Sequence, residues 1–186
     1  MSVQIERRTF TVEQYRRMAE VGILSEDDRV ELIEGEIVEM SLIGRHHAAC
    51  VGWLTRTLTL LLQHVALVWS QNSVELDGYS QPQPDIIVLK PREDFYRNSL
   101  PAPGEILLLI EVSDSTLAYD KKVKVPLYAR AGLPEVWVVN LIEERVETFA
   151  EPAEGAYSAT ASYSRGGEVR SRGLSELRLA VSEIFG

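Results

Sequence analysis

The sequence predicts an α/β (α+β) domain built on a central mixed sheet. Three observations carry that prediction. Two short, unbroken apolar runs, Ile86-Ile87-Val88-Leu89 and Ile106-Leu107-Leu108-Leu109-Ile110, read as strands buried on both faces. Residues 46–64 read as a long helix, in which His47, Cys50, Leu54, Leu58, Leu61 and Leu62 fall near one stripe at helical spacing. Helix and strand signals then alternate along the chain in the order helix, hairpin, helix, strands, helix, strands.

Each element has a local reason. Residues 9–21 read as a short helix with Thr11 as N-cap and Gln14 completing a capping box. Residues 30–40 read as a hairpin turning at Glu34-Gly35, with Leu32, Ile37 and Met40 toward a core. Gly44 stands just before the long helix. Residues 65–77 offer one or two strands, VALVWS and SVEL. The two apolar strands follow, separated by a polar loop, PREDFYRNSLPAPGE, which is expected to be the most mobile segment. Ser113-Asp114-Ser115-Thr116 is rich in N-cap residues and precedes a helix over 117–131 that stops at Gly132. Pro126 lies inside it, so a kink or a late start is expected. Residues 135–140 and 145–149 read as strands, 155–173 as Gly- and Ser-rich hairpin material, and VSEIFG as a short terminal helix or tail.

Composition narrows the function classes. The 186 residues fit one domain, 1–186, with a sizeable core. No apolar run approaches the ~20 residues needed to span a bilayer. MSVQIERRTF lacks the apolar stretch of a signal peptide, so a cytoplasmic protein is expected. The single cysteine, Cys50, excludes an internal disulfide framework and a multi-cysteine zinc site, and reads as a small buried hydrophobe. The formal net charge of −9 counts against a broad nucleic-acid surface, since phosphate binding rests on Lys and Arg. The most basic stretch is KKVKVPLYAR, residues 121–130.

The chemistry is concentrated in two acids. Asp85 precedes one apolar run and Glu111 ends the other. A carboxylate in such a place is costly unless paired, solvated or bound to a cation. If the register brings the strand ends together, the two acids make a hard oxygen site suited to Mg²⁺ or Mn²⁺. Such an ion lowers the pKa of bound water and polarises a phosphoryl oxygen. Charge developing on phosphate also needs a cation. Lys124 is the candidate, four residues after Asp120 on a partly core-directed helix face, with Asp120 as its i,i+4 partner.

Pro84-Asp85 followed by Glu111-Val112-Ser113 resembles the PD-(D/E)XK nuclease signature. The stretch EVSDSTLAYDKKVKVPLYARAGLPEVWVVN closely resembles the Uma-two family of restriction endonucleases, as do VELIEGEIVEMS and the helix starting at His47. The resemblance covers residues 9–150. It implies a restriction-endonuclease-like core, a mixed sheet flanked by helices, with an added N-terminal helix and hairpin and added C-terminal strands. It implies Asp85 and Glu111 as metal ligands. The wider superfamily places a lysine two residues after the glutamate; here that position is Ser113, and the family pattern points to a lysine migrated onto the next helix, Lys124. More weakly, it places His47 at the border of the site and Glu36 as a third acid. Val136-Trp137 and Asn140 depart from the family's usual residues and read as structural.

Each of these residues also has a plainer reading. Pro-Asp pairs form turns, Glu111 could sit in a structural ion pair, and most helix lysines are solvated. Asp114 and Asp120 would charge a helix start. Tyr128 and Trp137 would be core, and Glu36 a solvated hairpin residue. The expectation is a Mg²⁺- or Mn²⁺-dependent endonuclease hydrolysing phosphodiester bonds of DNA, with Asp85, Glu111, Lys124 and His47 as its site and a homodimer as the form suited to cutting both strands. The alternative is a nuclease-like binding or regulatory module without cleavage activity.

Overall fold

The structure is a computed structural model and describes residues 8–25 and 27–186. Its centre is a six-stranded mixed sheet in the order β3-β4-β5-β6-β7-β8, formed by Leu67–Ser70, Ile86–Leu89, Ile106–Ser113, Glu135–Asn140, Arg145–Ala153 and Ala156–Ser164. Neighbouring strands are antiparallel except β5 and β6, which run parallel. A parallel pair needs a crossover. Residues 117–130 supply it as three helical pieces: α3 (Leu117–Tyr119), a π-turn (Asp120–Lys124) and α4 (Val125–Arg130).

Apolar residues cover both faces of the sheet, as the unbroken runs of β4 and β5 require. On one face α2 (Arg45–Leu62) packs Cys50, Val51, Leu54, Leu58 and Leu62 against Ile86, Val88, Leu108, Ile110 and Val112. The short strands β9 (Glu168–Arg170) and β10 (Arg178–Ala180) and helix α5 (Val181–Phe185) complete that core with Val169, Leu179 and Ile184. On the other face lie Ile87, Leu109, Val136 and Val138. They meet Leu127 and Tyr128 from α4 and Ile33 from the hairpin of β1 (Val30–Ile33) and β2 (Glu36–Glu39). That hairpin turns at Gly35, whose φ is +81°. It is tied to α1 (Val12–Glu20), whose N-terminus carries the expected Thr11–Gln14 capping box. Among the described residues no helix is long and apolar enough to cross a membrane.

Several details differ from the sequence expectation. Leu61 is exposed, and Val51 takes its place on the buried stripe of α2. SVEL is not a strand: Asp77 accepts the Tyr79 N–H, and the chain folds back so that Val74 and Leu76 donate to Pro82 and Ser80 carbonyls. β7 runs on to Ala153, so the C-terminal hairpin begins earlier than expected. The loop after β4 is cross-tied, not loose. Arg92 bonds Asp94 at 2.6 Å and Glu105 at 3.1 Å, and its guanidinium lies 4.1 Å from the centroid of the buried Tyr96 ring. The 117–131 helix is broken where Pro126 forced a choice. Pro126 has no N–H to donate, and in a regular α-helix its ring would meet the carbonyl of Lys122. The wider π-turn just before it, with Val125 N–H donating to the Asp120 carbonyl, relieves that conflict.

Candidate active site

The antiparallel register pairs Ile86 with Ile110. One step further, Asp85 stands beside Glu111 at the end of the central strands. Strand alternation puts both acids on the sheet face that holds Ile87 and Leu109. The Val112 N–H donates to Asp85 Oδ2 at 2.9 Å, and His47 Nε2 lies 3.1 Å from Asp85 Oδ1. His47 reaches this point from the first turn of α2, which Gly44 starts without a side-chain cap. Its hydrogen bond to Asp85 raises its pKa against the effect of burial. His47 Nδ1 is buried and has no hydrogen-bond partner among the described residues.

Glu111 is buried and held by two donors on one oxygen. Tyr128 donates to Oε1 at 2.5 Å, and Lys124 Nζ lies 3.2 Å away. Lys124 is itself buried and also meets Glu31 Oε2 at 3.1 Å, an oxygen that accepts the Gln83 N–H. Asp120 Oδ2 accepts from Ser113 Oγ and from Thr116 Oγ1, each at 2.7 Å. The cluster therefore gathers four carboxylates around one ammonium and one imidazole.

That surplus of negative charge marks the protonation equilibria. Burial pushes Glu111 up to about 8; Lys124 opposes the rise, and Asp120 and Asp85 add to it. Burial likewise raises Asp120. Burial works against the charge on Lys124, but Glu111, Glu31 and Asp120 outweigh it and hold the ammonium protonated. Tyr119, whose hydroxyl has no partner among the described residues, is pushed up to about 12 by burial.

These groups line a cleft of about 360 Å³, with Arg29 and Tyr119 on its walls and Asp114 and Thr116 at the start of the crossover. Among the described residues no three His, Cys, Asp or Glu side chains are arranged to hold a metal ion between them. Two carboxylates with excess negative charge around them nonetheless fit Mg²⁺ or Mn²⁺. Such ions keep several waters and take one or two protein carboxylates beside a substrate phosphate.

The structure thus brings together Asp85, Glu111, Lys124 and His47. It does not bring Glu36 there: that residue is exposed beside the hairpin turn and does not line the cleft. Two hairpin acids, Glu31 and Glu39, line the cleft, and the one that meets Lys124 is Glu31, which sequence reasoning missed. The available signal was its phase, since residues 31 and 33 share a strand face and Ile33 belongs to the core. Asp120 does not charge a helix start in solvent; it is buried against two hydroxyls. Tyr128 is core, as expected, but its hydroxyl also serves Glu111. Asn140 is structural: its side-chain oxygen accepts the N–H groups of Ile142 and Glu143 in the following turn.

A family model described as "Uma2: Putative restriction endonuclease" matches residues 12–182. Among solved structures, the chain is similar to one described as "a putative nuclease belonging to DUF820" from Anabaena variabilis ATCC 29413. The TM-score is 0.72 and the identity 19%, over 95% of this chain and 97% of that one. At that identity the likeness speaks for the fold. No curated protein matches the chain.

Proposed function

The chain belongs to the Uma2 family, and on that premise we propose that it is a divalent-metal-dependent nuclease hydrolysing phosphodiester bonds of DNA. The observation that carries the proposal is the meeting of Asp85, Glu111 and Lys124 at one end of β4 and β5, with Lys124 Nζ 3.2 Å from Glu111. A Mg²⁺ or Mn²⁺ ion held by Asp85 and Glu111 would supply Lewis acidity at the scissile phosphate.

In this reading the chain's own residues prepare the site. The Val112 N–H and His47 hold the Asp85 carboxylate from its two oxygens. Tyr128 and Lys124 hold Glu111. Lys124 then offsets charge that grows on a phosphate oxygen in the transition state, a role that a preorganised cation in a partly dry cleft fills well. Glu31 keeps that ammonium aimed when no substrate is present. One nuclease-like domain over residues 1–186 would hold one such site, and a homodimer would present two to a duplex.

The test is calorimetric titration of Mn²⁺ or Mg²⁺ into wild type and Asp85→Ala, followed by a plasmid-cleavage assay with the same ion. Binding and cleavage by wild type, both lost in the variant with the fold intact, are expected. Undiminished cleavage by Asp85→Ala would sink the assignment. A wild type that binds no metal and cuts no DNA would leave a nuclease-like module without this chemistry.

A further inference from the structure

Lys124 does not reach Glu111 from a regular helix. In an α-helix the Lys124 N–H would donate to the Asp120 carbonyl; here the Val125 N–H does so, and residues 120–124 form one π-turn. The extra residue turns everything beyond it by about one residue's arc, roughly 100°. Such turns are rare and need support, and three features supply it here. Pro126, just beyond the turn, cannot make the α-helical bond to residue 122. Lys124 is gripped between Glu111 and Glu31. The third support is at the entry. The carboxylate of Asp120, the first residue of the turn, takes the hydroxyls of Ser113 and Thr116, and its own N–H donates to the Thr116 carbonyl at 2.9 Å.

We propose that Ser113 is a positioning residue for Lys124: with Thr116 it pins Asp120 at the entry to the π-turn, and the turn aims the lysine at Glu111. Ser113 is suited to this by its place. It follows Glu111 by two residues on β5, so both side chains leave the strand on the same face. It is completely buried, where an unpaired hydroxyl would be costly, and Asp120 satisfies it. The pin joins the end of the strand that carries Glu111 directly to the first turn that carries Lys124. The two groups are thereby set relative to each other through one short hydrogen-bonded bridge and not through the intervening loop. The geometric inference stands on these bonds; only its kinetic consequence rests on the nuclease reading above.

An isosteric pair of variants isolates the hydroxyl. Ser113→Thr keeps the donor, and Ser113→Val has the same shape without it. The first readout needs no cleavage: reductive methylation of the metal-free native protein with formaldehyde, mapped by mass spectrometry, with Lys122 as internal reference. Lys124 is expected to stay protected in wild type and Ser113→Thr and to become reactive in Ser113→Val. Equal protection in the two variants overturns the proposal. If Ser113→Val does not fold, Thr116→Val, at a half-buried position, removes the other pin and is expected to expose Lys124 in part. The second readout is kinetic. In Ser113→Val, kcat is expected to fall at least about tenfold, and up to the order of a hundredfold, with KM and metal affinity unchanged, as for a misplaced group. Ser113→Thr should restore it. If wild type cleaves nothing, the nuclease reading fails, and the methylation result still decides the role of Ser113.

Discussion

Tyr128 donates its hydroxyl to Glu111 at 2.5 Å from an α4 position that is otherwise pure core. The bond ties the helical crossover to the strand end, beside the contact made by Lys124. A hydrogen bond to a charged or partly charged group contributes about 1.5–3 kcal/mol. Tyr128→Phe keeps the ring and should lower unfolding free energy in urea by that amount. On the proposed role of Glu111 as a metal ligand, it should also loosen that carboxylate and weaken Mn²⁺ affinity by about 10–100-fold, the scale of losing a ligand's supporting bond. Calorimetry and a urea titration on the same variant check both.

Lys124→Met replaces the buried ammonium by an apolar chain of similar length. Removing one partner of a buried pair costs about 3–5 kcal/mol, because the charge left behind is unpaired. Here Glu31 and Glu111 would both be left. On the proposed nuclease reading cleavage should disappear, and the metal-free variant should unfold at lower urea concentration. A divalent cation should then raise the melting temperature of Lys124→Met more than that of wild type, since it supplies charge that the variant lacks. An equal rise in both proteins would count against a cation bound beside Glu111.

Gly35 fixes the hairpin that delivers Glu31. Its φ is +81°, and a Cβ built there would lie 2.5 Å from Cβ of Thr9. The left-handed backbone alone costs a non-glycine residue roughly 1–2 kcal/mol, and the clash adds to it. Gly35→Ala is therefore expected to destabilise by at least about 2 kcal/mol in urea titration. It should also raise amide hydrogen exchange across β1 and β2 before the central sheet is affected.

Cys50 lies one helical turn past His47 on the buried face of α2. Burial pushes its thiol from the usual value of 9.0 up to about 12, with Asp85 adding to the rise. The protonated thiol is therefore the native form well past neutral pH. Its contribution to stability is intact below pH 9.0 and is lost as pH climbs toward about 12. Alkylation by iodoacetamide at pH 8 should be roughly a thousandfold slower than in the urea-unfolded chain, three pH units of thiolate population. Rapid native labelling would show that the α2 core opens.

Part of the candidate site is legible in the sequence, for a physical reason. Asp85 and Glu111 stood out because a charge bordering a fully apolar run must be explained. Their convergence could not be read, since it depends on a register that places residue 86 opposite residue 110. Lys124 stands out from Lys121 and Lys122 by its core-directed helix face and its spacing from Asp120, and the family resemblance adds weight, because most helix lysines are simply solvated. Glu31 was hidden among the acids of one hairpin, and Glu36 was preferred to it. The π-turn left only Pro126 as a trace. The bond at its entry, Ser113 to Asp120, joins residues whose proximity is a property of the folded crossover.

The parallel pairing of β5 with β6 has an evolutionary consequence. A parallel neighbour obliges the chain to leave the end of β5, travel over the sheet and return. That excursion starts two residues after Glu111 and cannot be shortened to a hairpin. Every descendant that keeps this topology therefore keeps a stretch of backbone passing near the acid, whatever its sequence. A cationic side chain can be lost from the strand and regained along the excursion without any change of architecture. Natural selection is then free to place such a charge anywhere along that excursion as long as the parallel pair survives.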